Sequence, residues 1–145
     1  MTSKLTILLP LALALLAHVA HAKIDYEEAE KHFNTCKAET GAEETFEDVI
    51  KKEKIPTSDK GMCLVECEFR LKGIYDKEGK YDPEGTKKYF SKVFSHLPEN
   101  IDKSVKIAEE CSKMDVEGLD KCEAAVKQLT CTRAKAVQQN IHLKD

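Results

Sequence analysis

The 145-residue chain has no tryptophan, no C-x-x-C pair, no H-E-x-x-H motif and no cluster of basic residues. Each absence removes a class of chemistry. A thiol–disulfide exchange centre wants C-x-x-C at a helix N-terminus. A structural zinc site gathers Cys and His at close spacing, whereas His32, His96 and His142 are scattered, so no metal is expected. No histidine sits in a recognisable nucleophile or metalloprotease setting. No catalytic residue or cofactor is therefore assigned, and the chain is not read as an enzyme. The segment "DKEGKYDPEG" carries calcium-like carboxylates, but an EF-hand loop starting at Asp76 would place Tyr81 where glycine is needed. Asn34-Thr35-Cys36 is not a glycosylation sequon. The lysines are interleaved with Asp and Glu at a net charge of −3, which speaks against a nucleic-acid partner.

What is present begins with "MTSKLTILLPLALALLAHVAHA". One lysine, an apolar run from Leu5 to Leu16 and the small-residue site Ala20-His21-Ala22 read as a secretory signal, with cleavage expected after Ala22. The run is too short to span a bilayer and Pro10 interrupts it, and no later segment is apolar enough, so no stable membrane insertion is expected. Residues 1–22 are thus a signal peptide and residues 23–145 one secreted, extracellular domain. All six cysteines lie in that domain, where they meet an oxidising environment.

The domain reads as about six helices. Tyr26, Ala29, Phe33 and Cys36 recur at helical spacing behind a capping Asp25. Phe46, Val49 and Ile50 form a short second piece stopped before Pro56. Ser58 or Asp59 caps a third that runs to Gly73, with apolar residues on several faces, so it should be central. A fourth carries Tyr89, Phe90, Val93, Phe94 and Leu97. Pro98 opens a fifth with Ile101, Val105, Ala108 and Cys111 inward. A sixth runs from about Leu119 to Val137. Strand-like alternation does not persist, so the fold class is all-α.

Six cysteines allow 15 pairings. Cys63 and Cys67 lie one turn apart on one helix with nearly parallel Cβ directions, a poor geometry for bridging each other. Cys122 and Cys131 are separated by roughly 13 Å of helix. Each exclusion removes three pairings and the two share one, which leaves ten. In all ten the third helix is tied to two other elements.

The gaps between successive cysteines are 26, 3, 43, 10 and 8 residues. With the signal peptide before them and the "YDKEGKYD" link after the third helix, this pattern resembles the insect odorant-binding proteins of the pheromone- and general-odorant-binding family. The resemblance implies six helices around a central apolar cavity, held by three interlocked disulfides. It also implies the pairs Cys36–Cys67, Cys63–Cys122 and Cys111–Cys131, one of the ten that geometry leaves open.

A pocket for a small apolar ligand needs aliphatic and aromatic walls with a few polar anchors. The candidates are Phe69, Leu71, Ile74 and Tyr75 after the third helix and Tyr89, Phe90, Val93, Phe94 and Leu97 on the fourth. Val105 and Ala108 come from the fifth, and Val126 and Leu129 from the sixth. Each of these could equally be ordinary core. Tyr75 and Tyr89 are the preferred polar anchors because a buried phenol needs a partner. Ile141 and Leu143 are apolar residues in the C-terminal tail, and by analogy with the family they form a lid. His96 or His142 would loosen that lid on protonation near pH 6. The expected partners are a small apolar ligand and an olfactory receptor complex, with the chain a monomer or weak homodimer. The alternatives are the same carrier in haemolymph, saliva or reproductive fluid, or a saposin-like lipid-interacting protein. Saposin-like chains are shorter, with cysteines clustered at the two ends, whereas Cys63 and Cys67 are central here.

Overall fold

Asp25 starts the first helix by accepting the Glu28 backbone N–H at 3.1 Å, which satisfies a donor the helix itself cannot. A computed structural model describes residues 22–142. Helix α1 (Tyr26–Thr40) buries Phe33 and Cys36. The short second piece is a π-helical turn, Glu47–Lys51, whose Val49 is buried. Phe46 just before it meets Phe33 edge-on, ring centroids 5.6 Å apart.

Helix α2 (Asp59–Leu71) is capped by Ser58, whose Oγ accepts the Gly61 N–H at 2.9 Å. It ends at Leu71, two residues earlier than its apolar pattern predicts, because Gly73 turns left-handed at φ +75°. That turn presses against the next helix: a Cβ on Gly85 would lie 1.9 Å from the Gly73 carbonyl oxygen. Between them the calcium-like segment is a tight turn closed on itself. Asp76 Oδ1 accepts from the N–H groups of Glu78 and Lys80 at 2.9 and 2.8 Å, and Tyr75 pairs with Tyr81.

Asp82 caps α3 (Pro83–Val93) through the Glu84 and Gly85 N–H groups, with Pro83 in the first turn. α3 stops at Val93, so Phe94 and Leu97 belong to the turn before α4 (Pro98–Ser112) rather than to a continuous stripe. α5 (Lys121–Gln138) opens on a capping box of Asp120 and Glu123. Leu119 therefore lies outside the helix and stays exposed.

α2 is the central post, packed against α1 on one side and α5 on the other, while α4 packs against both α3 and α5. Cys36–Cys67 ties α1 to α2, Cys63–Cys122 ties α2 to α5, and Cys111–Cys131 ties α4 to α5. These are the pairs the resemblance implies. Glu66, buried on α2, is held by Arg70 Nε at 2.9 Å, and Arg70 Nη2 reaches Glu39 on α1 at 2.6 Å. The fold is all-α, and among the described residues no helix is long and apolar enough to cross a membrane.

Candidate functional site

Helix α5 carries Ala125, Gln128, Thr132 and Ala136 at spacings of three, four and four, a continuous face turned inward. Opposite the far half of that face, α2 presents Phe69 and, just past its end, Lys72, α3 presents Tyr89 and Phe90, and α4 presents Ala108. These surfaces do not close on each other. They leave an inner cavity of about 260 Å³.

The remaining side is closed by the tail. After α5 ends at Gln138, Asn140 adopts a left-handed φ of 53°, a conformation Asn tolerates better than most residues. The chain reverses there, Ile141 N–H donates to the Ala136 carbonyl at 2.9 Å, and the Ile141 side chain is 3 % exposed. It packs with Phe90, Phe94 and Ile107 in one core cluster. His142 follows at the cavity rim, beside Val137, which is 64 % exposed and marks the mouth.

Six of the lining residues are polar: Glu53, Lys72, Gln128, Thr132, Arg133 and His142. The Tyr75 hydroxyl donates to Gln128 Oε1 at 2.7 Å, and burial, with Glu66 adding, pushes its pKa up to about 12. Gln128 reaches the cavity; Tyr75 stands behind it. Arg133 Nη1 donates to the Glu53 carbonyl at 2.5 Å, from a backbone held left-handed at φ +52°. Burial lowers the Arg133 pKa despite the pull of Glu53. Lys72 Nζ lies 2.8 Å from Glu68 Oε2, a carboxylate that is itself buried. Burial works against the Lys72 ammonium, yet Tyr89 and Glu68 hold its pKa above the ordinary lysine value.

Of the residues singled out in the sequence, Phe69, Ile74, Tyr89, Phe90, Ala108, Leu129 and Ile141 line this cavity together. The others are placed elsewhere. Leu71 is 40 % exposed, because two residues beyond Phe69 is more than half a helical turn away. Phe94 is fully buried but faces the α3–α4 cluster, where Val93, Leu97 and Val105 also pack. Val126 packs around Val65 and Ala125. His96 is exposed in the α3–α4 turn, away from the cavity. Leu143 lies outside the described residues, as does the signal segment up to residue 21. The polar lining residues Glu53, Lys72, Gln128, Thr132 and Arg133, together with Ala136 and Val137, were not singled out. The spacing of Gln128, Thr132 and Ala136 on the Leu129 side of α5 was the signal available.

A second hollow lies on the other side of Tyr89 and Lys72, which line both. This outer cleft is larger, about 470 Å³, and runs between the start of α1, the end of α2 and α3. Leu71 and Val93 belong to it, and a Lys92–Glu28 ion pair joins α3 to α1 beside it. Its remaining rim is mostly charged, with Lys23, Asp25, Arg70 and Lys88. Seven of the fifteen residues around this cleft are charged, against three around the inner cavity, and charges are costly to strip of water for an apolar guest. The inner cavity is the better ligand site.

Comparison with known proteins gives the family. Residues 20–135 match the PBP/GOBP family. General odorant-binding protein 19d of Drosophila melanogaster is 24 % identical over 125 residues, which cover 86 % of this chain and 83 % of that protein. The solved structure of the odorant-binding protein dmelOBP28a from Drosophila melanogaster superposes with a TM-score of 0.66 at 25 % identity, covering 80 % of this chain and 95 % of that one. With the cysteine frame, the helices and the family match in accord, the chain belongs to the PBP/GOBP family, whose members are small-ligand carriers and not enzymes.

Proposed function

We propose that the protein is a secreted carrier for small hydrophobic molecules, odorants or pheromones among them, which it solubilises and delivers through aqueous extracellular fluid. Residues 1–22 would be its signal peptide and residues 23–145 the working domain. The observation that carries this reading is the inner cavity: about 260 Å³, walled by Phe69, Ile74, Phe90, Ala108 and Leu129, with Gln128, Lys72 and Arg133 among its polar groups. Apolar burial drives uptake without demanding a particular shape, and the polar groups orient the guest. The family match and the two Drosophila relatives support the same reading.

The tail is the moving part of this proposal. Ile141 is buried against the cavity, and its removal would open one wall. The decisive measurement is one-to-one uptake of a hydrophobic fluorescent probe by the oxidised protein, followed by displacement with alcohols, esters and aldehydes of graded length. The absence of tryptophan leaves intrinsic quenching a poor reporter. Saturable uptake with length-dependent displacement is expected; no saturable uptake by a correctly oxidised monomer would end the carrier reading. Deleting residues 138–145 is expected to weaken probe retention at neutral and acid pH. Unchanged affinity at both would remove the lid and leave the carrier.

A further inference from the structure

We propose, building on the carrier reading, that the preferred guest is a medium-chain carboxylic acid held as its carboxylate, head group at Arg133 and Lys72. A cavity meant only for neutral volatiles needs hydroxyls or amides to orient its guest, not full charges, which are expensive to remove from water. Here two cationic side chains line the same small space. They are close enough for Arg133 to act against the charge on Lys72. Two like charges lining one small space are relieved by an anion between them.

The partners these cations already have leave that role open. Arg133 presents five N–H donors in a planar fork, and the Glu53 carbonyl accepts from one edge of it at 2.5 Å. A carbonyl brings no full negative charge. The Glu53 carboxylate favours the cation, but burial outweighs it. Lys72 has Glu68 Oε2 at 2.8 Å, an ion pair that occupies one of the three donors of its ammonium. Gln128 adds to the same bias. Its Oε1 is taken by Tyr75 and its backbone carbonyl by Thr132 at 2.8 Å, so the group it has left for a guest is its amide N–H. With two cations and an amide N–H set against one carboxylate, Glu53, the polar lining of the cavity is therefore richer in donors than in acceptors. It suits an acceptor, and a planar carboxylate matches a guanidinium fork better than an alcohol oxygen does.

The volume limits the tail. At roughly 30 Å³ per heavy atom, water's share of the liquid, the cavity holds on the order of nine heavy atoms. That is an acid of about six to eight carbons. Phe69, Ile74, Phe90 and Leu129 provide the apolar surface for such a tail, and its carboxyl group is ionised at neutral pH.

The test is displacement of N-phenyl-1-naphthylamine from the oxidised protein at neutral pH by octanoate, 1-octanol and methyl octanoate, with hexanoate and decanoate to set the length. Octanoate is expected to displace the probe at a concentration at least tenfold below that of the alcohol or the ester. Arg133→Gln should reduce the acid-over-alcohol preference at least tenfold, with Arg133→Lys in between because it keeps the charge and loses the fork. Lys72→Met provides an independent variant should the Arg133 substitutions fail to fold, and it too should lower the preference. Equal displacement by acid and alcohol in the unaltered protein, or a preference untouched by either site, overturns the proposal while the carrier reading stands. Failure of the probe to bind before any competitor is added overturns both, and the initial probe titration separates that outcome from the first.

Discussion

Helices α2 and α5 each carry two half-cystines, α1 and α4 one each, and α3 none. The inner cavity is built across that divide. Its α2, α4 and α5 walls are covalently framed, while its α3 wall, Tyr89 and Phe90, rests on packing, an Asp82 cap and the hydrogen bond from Lys23 N–H to the Val93 carbonyl at 3.1 Å. A hole lined by apolar side chains costs stability, because its lining atoms lack partners on one side. Crosslinks offset that cost by restricting the unfolded chain. The stapled walls keep the space open. The unstapled wall is also the partition between cavity and outer cleft, so any passage between the two hollows would be governed by α3.

The largest expected effect falls on the framed side. Replacing Cys63 and Cys122 by alanine frees a loop closed over 59 residues of sequence, which in the chain-entropy account removes about 4 kcal/mol. The denaturant midpoint should fall accordingly, with probe uptake lost in the same variant. On the unstapled side, Phe90→Ala should cost about 3 kcal/mol at equilibrium, and it should enlarge the cavity so that the best competitor becomes longer. If Phe90→Ala proved as damaging as loss of the disulfide, the contrast between the two walls would not hold.

A third test is pH. The Tyr75 phenol is raised to about 12 from an ordinary 10.0, so the stabilisation tied to its neutral form is fully present below about pH 10 and is lost as pH rises through about 12. The loss should reach roughly 2–3 kcal/mol. Ultraviolet titration should show Tyr75 ionising last among the four tyrosines, behind Tyr81, whose phenol burial also raises. Tyr75→Phe should flatten the alkaline fall while costing about 1–2 kcal/mol at neutral pH, since it leaves Gln128 Oε1 without its donor. The smallest effect is at the surface of α3. Lys92→Ala removes the exposed pair with Glu28, and the thermal midpoint is expected to stay within experimental scatter at both low and high salt.

The helices were legible from apolar spacing and, at Asp25, Ser58 and Pro98, from capping chemistry; the starts marked by Pro83 and Asp120 were not read, which is why the last helix was begun at Leu119. Boundaries slipped where a local turn overrode the apolar pattern, at Gly73 and at Val93. The pairing of cysteines was not legible from spacing alone, which left ten possibilities; family resemblance narrowed them. The cavity was half legible. Aromatic and aliphatic residues such as Phe69, Phe90 and Leu129 announce an inward face, but not whether that face meets a neighbour or a void, as Phe94 and Val126 illustrate. Lys72 and Arg133 were passed over because a charge on an amphipathic helix ordinarily marks its solvated side. Only the three-dimensional placement of Glu53 and Glu68 shows that both turn inward.

Val137 lines the cavity yet leaves most of its surface to solvent. In a chain with no indole of its own, that position is a silent optical channel. A single tryptophan placed there would be the sole emitter of its kind, seated at the doorway, and its colour and intensity would report each guest's arrival and departure without a competing dye.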